Sequence, residues 1–214
     1  MNCKIREGGK GSLTIVLLHG YGANYEDLVP LSQYIPAPPN TTWIFPDAIH
    51  SLDMVPGGRA WFPLSLNATV DTSDPEVMAL AKPPGMEEVR KELDLFFEAL
   101  ARPEMSIVLG GFSQGAMVSL DYVLHSNLSP KFLFLLSSTL VKKAEYTDLA
   151  AKKKIPFYQS HGLYDQVLFY QVSLVLHEVL KNAGWEGDFR EFPDGHTIPP
   201  QVMDDMGKIL TTLL

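Results

Sequence analysis

"LGGFSQGAM", residues 109–117, closes an apolar run and opens a segment of helical period. A single serine stands among small residues. Glycine weakens strands and helices alike, so a cluster of it marks a place where the backbone takes an unusual course. The stretch holds Gly111-Phe112-Ser113-Gln114-Gly115, a G-x-S-x-G pattern. With Gly and Ser each at about 7% of residues, that pattern arises by chance in roughly one chain in ten or fifteen of this length. Its setting gives it weight. "MSIVLGG" (105–111) reads as a buried strand and "QGAMVSLDYVLH" (114–125) as a helix. A tight strand-to-helix turn pushes its serine into a strained conformation with the hydroxyl raised above the sheet. Side chains two positions away would collide with that turn, so glycine is needed on both sides.

Outward from this turn, apolar runs of strand length alternate with segments of helical period, the signature of an α/β sheet with crossover helices. "LTIVLL" (13–18) is a continuous β-rich run, as a strand buried on both faces should be. "NYEDLVPLSQYI" (24–35) reads as a helix capped by Asn24, with Pro30 limiting its regularity. "TTWIFP" (41–46), "KFLFLL" (131–136), "IPFYQS" (155–160) and "DFREF" (188–192) are further strands. Met86, Val89, Leu93, Phe96, Phe97 and Leu100 share one helical stripe. Leu168, Val172, Val175, Leu176 and Val179 mark another, and Val202, Met206, Ile209, Leu210 and Leu213 a closing one. Residues 47–82 show no clear period, and a loop of that length in a compact domain is functional or disordered.

The 214 residues suit one domain, 1–214, with no linker dividing it. A hydrophobic fraction of 46% and a charged fraction of 20% place the chain among globular proteins. The net charge of -8 repels phosphates, which sets nucleic acid aside as a partner. Cys3 is the single cysteine, so no internal disulfide forms, which fits a reducing compartment. It is expected in a fraying terminus and without a role. The N-terminal "MNCKIREGGKGSL" lacks the apolar stretch of a signal peptide, and no apolar run reaches the roughly 20 residues of a membrane span. The expectation is a cytoplasmic protein with no integral membrane segment. A homodimer is compatible with the sequence, but no residue specifies one.

A serine hydroxyl needs a base within hydrogen-bond reach to act as a nucleophile. In open α/β sheets the functional groups gather beyond the carboxyl ends of the strands. Of six histidines, His125 and His177 fall on helices and His50 in the long loop. His19, His161 and His196 are each read as standing just after a strand. The chain order Ser113, Asp165, His196 is that of one large class of serine hydrolases, with Asp165 orienting His196 and His196 taking the proton of Ser113. Asp194 is a rival acid, two residues from His196. Asp165 could instead cap a helix, and the two roles are compatible. Chemistry at a carbonyl also needs donors for an oxyanion. One is the backbone N–H of Gln114. The other is expected from Tyr21 in "HGYGAN" (19–24), a loop that also reads as a plain glycine-rich turn.

These pieces resemble the phospholipase/carboxylesterase family, the acyl-protein thioesterase group of the α/β-hydrolase superfamily. The matching segments are "LLHGYGAN", "RAWFPL" (59–64), "GGFSQGA", "SHGLYDQV" (160–167) and "GHTIP" (195–199). The resemblance implies an α/β-hydrolase fold: a mostly parallel central sheet with helices on both faces and no large cap domain. It implies Ser113 as nucleophile, Asp165 as acid and His196 as base, with backbone amides of Tyr21 and Gln114 at the oxyanion. It implies no cofactor and no metal, and a small-molecule ester or acyl substrate. Trp61 and Phe62 are expected as walls of the acyl pocket or as loop anchors. Many relatives carry an aspartate where this chain has Pro63, and the loop 64–82 reads as longer and more irregular than theirs. The expected activity is carboxylester hydrolysis through an acyl-enzyme. The alternatives are thioesterase or lysophospholipase action on long acyl chains, and a non-catalytic binding protein on the same fold.

Overall fold

The computed structural model describes residues 1–8, 13–64, 79–101 and 105–213. In chain order its elements are β1 (Cys3–Arg6), β2 (Leu13–Leu18), α1 (Tyr25–Leu28), α2 (Leu31–Tyr34), β3 (Thr42–Pro46), β4 (His50–Ser51), β5 (Arg59–Ala60), α3 (Met86–Leu100), β6 (Ser106–Phe112), α4 (Gln114–His125), β7 (Phe132–Leu136), α5 (Lys143–Ala150), β8 (Phe157–Gly162), α6 (Tyr170–Asn182), β9 (Gly187–Phe192) and α7 (Pro200–Thr211). Seven strands form one sheet in the order β1-β3-β2-β6-β7-β8-β9. All neighbours run parallel except β1, which lies antiparallel on β3. β4 and β5 make a separate two-residue hairpin.

The apolar run of β2 is buried at every residue, and its period of two feeds two cores. Val16 and Leu18 face a layer built by α3 to α6, with Val89, Leu93, Leu120 and Leu176. Ile15 and Leu17 face the opposite layer, where Leu28 of α1 and Val202, Met206 and Leu210 of α7 close the core. Burying one such side chain stabilises the fold by about 1.5–3 kcal/mol, which holds the helices to both faces.

Register decides where function gathers. Leu18 pairs with Gly111, Phe112 with Leu136, Leu136 with Ser160, and Gly162 with Phe192. The carboxyl ends of β2, β6, β7, β8 and β9 are therefore level along one sheet edge. The segments holding Tyr21, Ser113, Asp165 and His196 all leave from that edge.

Several expectations need correction. The single helix expected over 24–35 is two four-residue helices. Asn24 does cap the first, accepting from the Glu26 amide at 2.9 Å. Pro30 separates them, since it brings no N–H to carry the ladder onward. Cys3 lies not in a fraying end but on an edge strand, β1. β8 runs through His161 to Gly162, so His161 is inside the strand and not after it. α5 was not foreseen. Of the unpatterned stretch 47–82, residues 65–78 lie outside the described residues.

Candidate active site

Ser113 links β6 to α4 at φ 55°, ψ -120°, a backbone region that L residues seldom occupy. The packing around it explains why it must. A Cβ on Gly111 would come within 2.4 Å of the Gly115 backbone, and one on Gly115 within 2.1 Å of the Leu18 carbonyl oxygen. Only glycine fits at either place, so the turn is as tight as the motif requires. The Ser113 amide donates to the Leu136 carbonyl at 2.9 Å, tying the turn to β7. The Ser113 carbonyl accepts the amides of Ala116 and Met117 at 3.0 and 3.2 Å and starts α4.

Asp165 and His196 meet. Asp165 Oδ2 lies 2.6 Å from His196 Nδ1. Its other oxygen, Oδ1, accepts the amides of Val167 and Leu168 at 2.8 and 2.9 Å. Asp165 thus caps its own turn with one oxygen and holds His196 with the other. That turn is separate from α6, whose N-cap, Phe169, makes no side-chain cap. Backbone bonds lace the two loops together, Leu163 N–H to Phe192 O at 2.9 Å and Tyr164 N–H to Asp194 O at 3.0 Å. The His196 ring packs with its centroid 4.7 Å from that of Phe112, the residue before Ser113. The rival acid Asp194 is exposed, and its Oδ1 accepts the Gly195 amide at 2.7 Å.

A second imidazole also serves Asp165, and sequence reasoning missed its role. His161 Nε2 lies 2.7 Å from the Leu168 carbonyl and 3.2 Å from Asp165 Oδ2. Both neighbours are acceptors, so this nitrogen carries the proton. Burial acts to raise the pKa of Asp165, but hydrogen bonds from His161, His196, Leu168 and Val167 outweigh it and hold the carboxyl well below the usual carboxylate range.

The loop after β2 lies against Ser113. A Cβ on Gly20 would sit 3.4 Å from Ser113 Cβ. Among the described residues, neither the Tyr21 nor the Gln114 amide is paired with an acceptor. His19 is buried below them. Its Nδ1 donates to Gly20 O at 2.8 Å and its Nε2 accepts the Ala48 amide at 3.0 Å. Burial lowers its pKa, which suits the neutral ring those partners require. Trp61 is 0% exposed and Phe62 2%. Of the two roles expected for them, the structure favours anchoring, because neither offers surface to a substrate. Their segment is gripped by the Gln114 side chain: Oε1 accepts the Trp61 amide at 2.9 Å and Nε2 donates to Phe62 O at 2.8 Å. Among the described residues, no group of three or more His, Cys, Asp or Glu could hold a metal ion. No helix there is long and apolar enough to cross a membrane.

Residues 5–214 match the sequence profile of the phospholipase/carboxylesterase family. The chain belongs to that family. A curated relative from Dictyostelium discoideum, acyl-protein thioesterase 1 homolog 1, is 26% identical over 95% of this chain and 91% of its own. Acyl-protein thioesterase 1 of Neurospora crassa is 29% identical, and the match spans 59% of this chain and about half of the relative, 51%. Among solved structures, esterase PE8 is similar with a TM-score of 0.79 and 28% identity, covering 99% of this chain and 98% of that one. Acyl-protein thioesterase 2 of Zea mays follows at 0.73 and 26%, with 99% and 98% covered. This member has the α/β-hydrolase fold, with no large cap among the described residues.

Proposed function

We propose that this family member is a serine hydrolase of carboxylic esters. The observation that carries the reading is the 2.6 Å contact of Asp165 with His196 Nδ1, on loops that leave the sheet level with the strained Ser113 turn. In this reading Ser113 Oγ attacks the carbonyl carbon while His196 Nε2 takes its proton. The tetrahedral oxyanion is received by the Tyr21 and Gln114 amides. The carbon–oxygen bond to the leaving group then breaks, and the imidazolium returns the proton to the departing alkoxide. Water, deprotonated by His196, attacks the acyl-enzyme; the bond from the acyl carbon to Ser113 Oγ breaks, the imidazolium returns the proton to Ser113 Oγ, and the acid is released. Asp165 stays ionised throughout and stabilises each imidazolium.

A second reading is thioesterase or lysophospholipase action on long acyl chains, and the names of the acyl-protein thioesterase relatives support its thioesterase part. It is also supported by the exposed apolar side chains of Tyr21, Leu163, Tyr164 and Val167 on the loops that carry the oxyanion donor and the acid. The test of both is hydrolysis of p-nitrophenyl esters from acetate to palmitate by the wild type and Ser113→Ala. The expected result is turnover by the wild type and a loss of about 10⁴ or more in kcat for the variant. A rate that climbs with chain length selects the second reading. Equal activity of both proteins rules out Ser113 as nucleophile.

A further inference from the structure

The two amides assigned to the oxyanion stand on parts of the chain that strand register does not couple closely. Gln114 opens α4, while Tyr21 lies in a loop between Gly20 and Gly22, the latter at φ 82°. Register sets where those loops start but not the path of a glycine-flanked loop. Yet an oxyanion hole works only when both donors stand about 2.7–3.1 Å from the same oxygen. Some contact must hold the Tyr21 loop at a set distance from α4.

Residues 59–62 make that contact at each step. Arg59 O accepts the Gly22 amide at 2.9 Å, and the Arg59 amide donates to Ala23 O at 2.9 Å. The Trp61 indole Nε1 donates to His19 O at 2.8 Å. Tyr21 is thereby bracketed, pinned on one side through His19 and on the other through Gly22. The same segment is held at its far end by the Gln114 carboxamide, through the Trp61 amide and the Phe62 carbonyl. A carboxamide suits the task because its donor and acceptor are coplanar and match the edge of a peptide chain. Gln114 is 3% exposed. A buried amide and indole are costly unless paired, and an apolar residue would fill the same space, so the polar pairs contribute geometry rather than bulk.

We propose that the side chains of Gln114 and Trp61 are positioning residues: together with residues 59–62 they form a splint that sets the spacing of the Tyr21 and Gln114 amides. The proposal rests on the hydrolase reading above. It assigns Gln114 two separate tasks, a backbone amide that touches the oxyanion and a carboxamide that places the other donor. It also gives the "RAWF" segment a purpose other than walling a pocket.

The test compares Gln114→Met, Trp61→Phe and the double variant with the wild type and Ser113→Ala. The substrate is the p-nitrophenyl ester the wild type turns over fastest, and the probe is a trifluoromethyl ketone of matching chain. Each single variant is expected to lose about 10- to 100-fold in kcat, with KM little changed. Its affinity for the ketone, whose adduct mimics the oxyanion, should fall in proportion to kcat/KM. The double variant should lose little more than the worse single one, because both cut the same splint. The acidic limb of the pH profile should stay in place, since His196 and Asp165 are untouched. A role confined to packing would lower the thermal midpoint without weakening ketone binding relative to KM, and that result overturns the proposal. So does a kcat within twofold of wild type in either variant, or a rise in KM alone. If Gln114→Met does not fold, Trp61→Phe decides. An inactive wild type, or a fully active Ser113→Ala, overturns the hydrolase reading and the splint with it.

Discussion

Two aspartates are buried almost equally, Asp121 at 1% exposure and Asp165 at 5%, yet they are surrounded differently. Asp121, on α4, sits in the helical layer. Its Oδ2 accepts Arg90 Nη1 at 2.8 Å, and its Oδ1 accepts Lys142 Nζ at 3.1 Å and the Tyr146 hydroxyl at 2.8 Å. Two full cations answer one carboxylate, and the donors come from α3, from α5 and from the residue that precedes α5. The charge is matched in place and joins three helices. Burial, reinforced by Asp121, pushes the Tyr146 pKa well up, so that hydroxyl remains a donor. Asp165 has two imidazoles and two backbone amides. Among the described residues no Lys or Arg lies within ion-pair distance of it. Its charge is hydrogen-bonded but not neutralised, and it remains available to a cation formed during a reaction. A buried carboxylate compensated beforehand is a brace. One left uncompensated beside a histidine is equipped to stabilise an imidazolium.

Substitution should separate the two. Asp165→Asn is expected to lose about 10⁴ in kcat, because the amide neither selects the needed His196 tautomer nor stabilises its cation. Steady-state rates on the best ester check this, and a loss under tenfold would make the pair structural. Asp121→Asn should instead lower unfolding free energy by about 3 kcal/mol, the lower end for a broken buried ion pair. The lower end applies because the Arg90 and Lys142 side chains keep 22% and 10% exposure and can reach water. Its kcat per folded molecule should stay within about threefold, as urea titration and rates at low temperature would show. A third difference concerns acid. The carboxyl of Asp165 is depressed in the folded state, so between the unfolded value near 4 and its folded value the unfolded chain binds more protons. The stability from this group is present above about pH 4 and is lost as pH falls through the folded value. Urea unfolding from pH 5 downward should show a shallower decline for Asp165→Asn than for the wild type. Parallel curves would mean that the carboxylate contributes nothing there.

Much of the sheet was legible because its central strands are buried on both faces, and such runs stand out: "LTIVLL" falls on β2 residue for residue, and the largely buried helix "QGAMVSLDYVLH" falls on α4 in the same way. Elements that bury little were not. β1 is an edge strand with three of its four residues exposed, so it shows no alternation. α5 buries only Tyr146 and Ala150, too few to mark a stripe. At the site, the meeting of Asp165 and His196 followed from chain order and strand ends. The second imidazole on Asp165 did not, because it depends on β8 running two residues past its apolar run. The grip of Gln114 on the Trp61 segment joins residues 53 apart through a side-chain amide, and no local pattern encodes that.

The sheet grows across β6, β7, β8 and β9 in the order in which the ribosome makes them, and His196 comes after the last. A nascent chain that has emerged as far as β8 holds Tyr21, Ser113 and Gln114 but lacks His196, the proposed base. The proposed chemistry therefore switches on only once β9 pairs with β8 and α7 closes the core behind it. A chain cut short upstream of residue 196 keeps Ser113 but lacks both the base proposed for it and the α7 side chains that close the core.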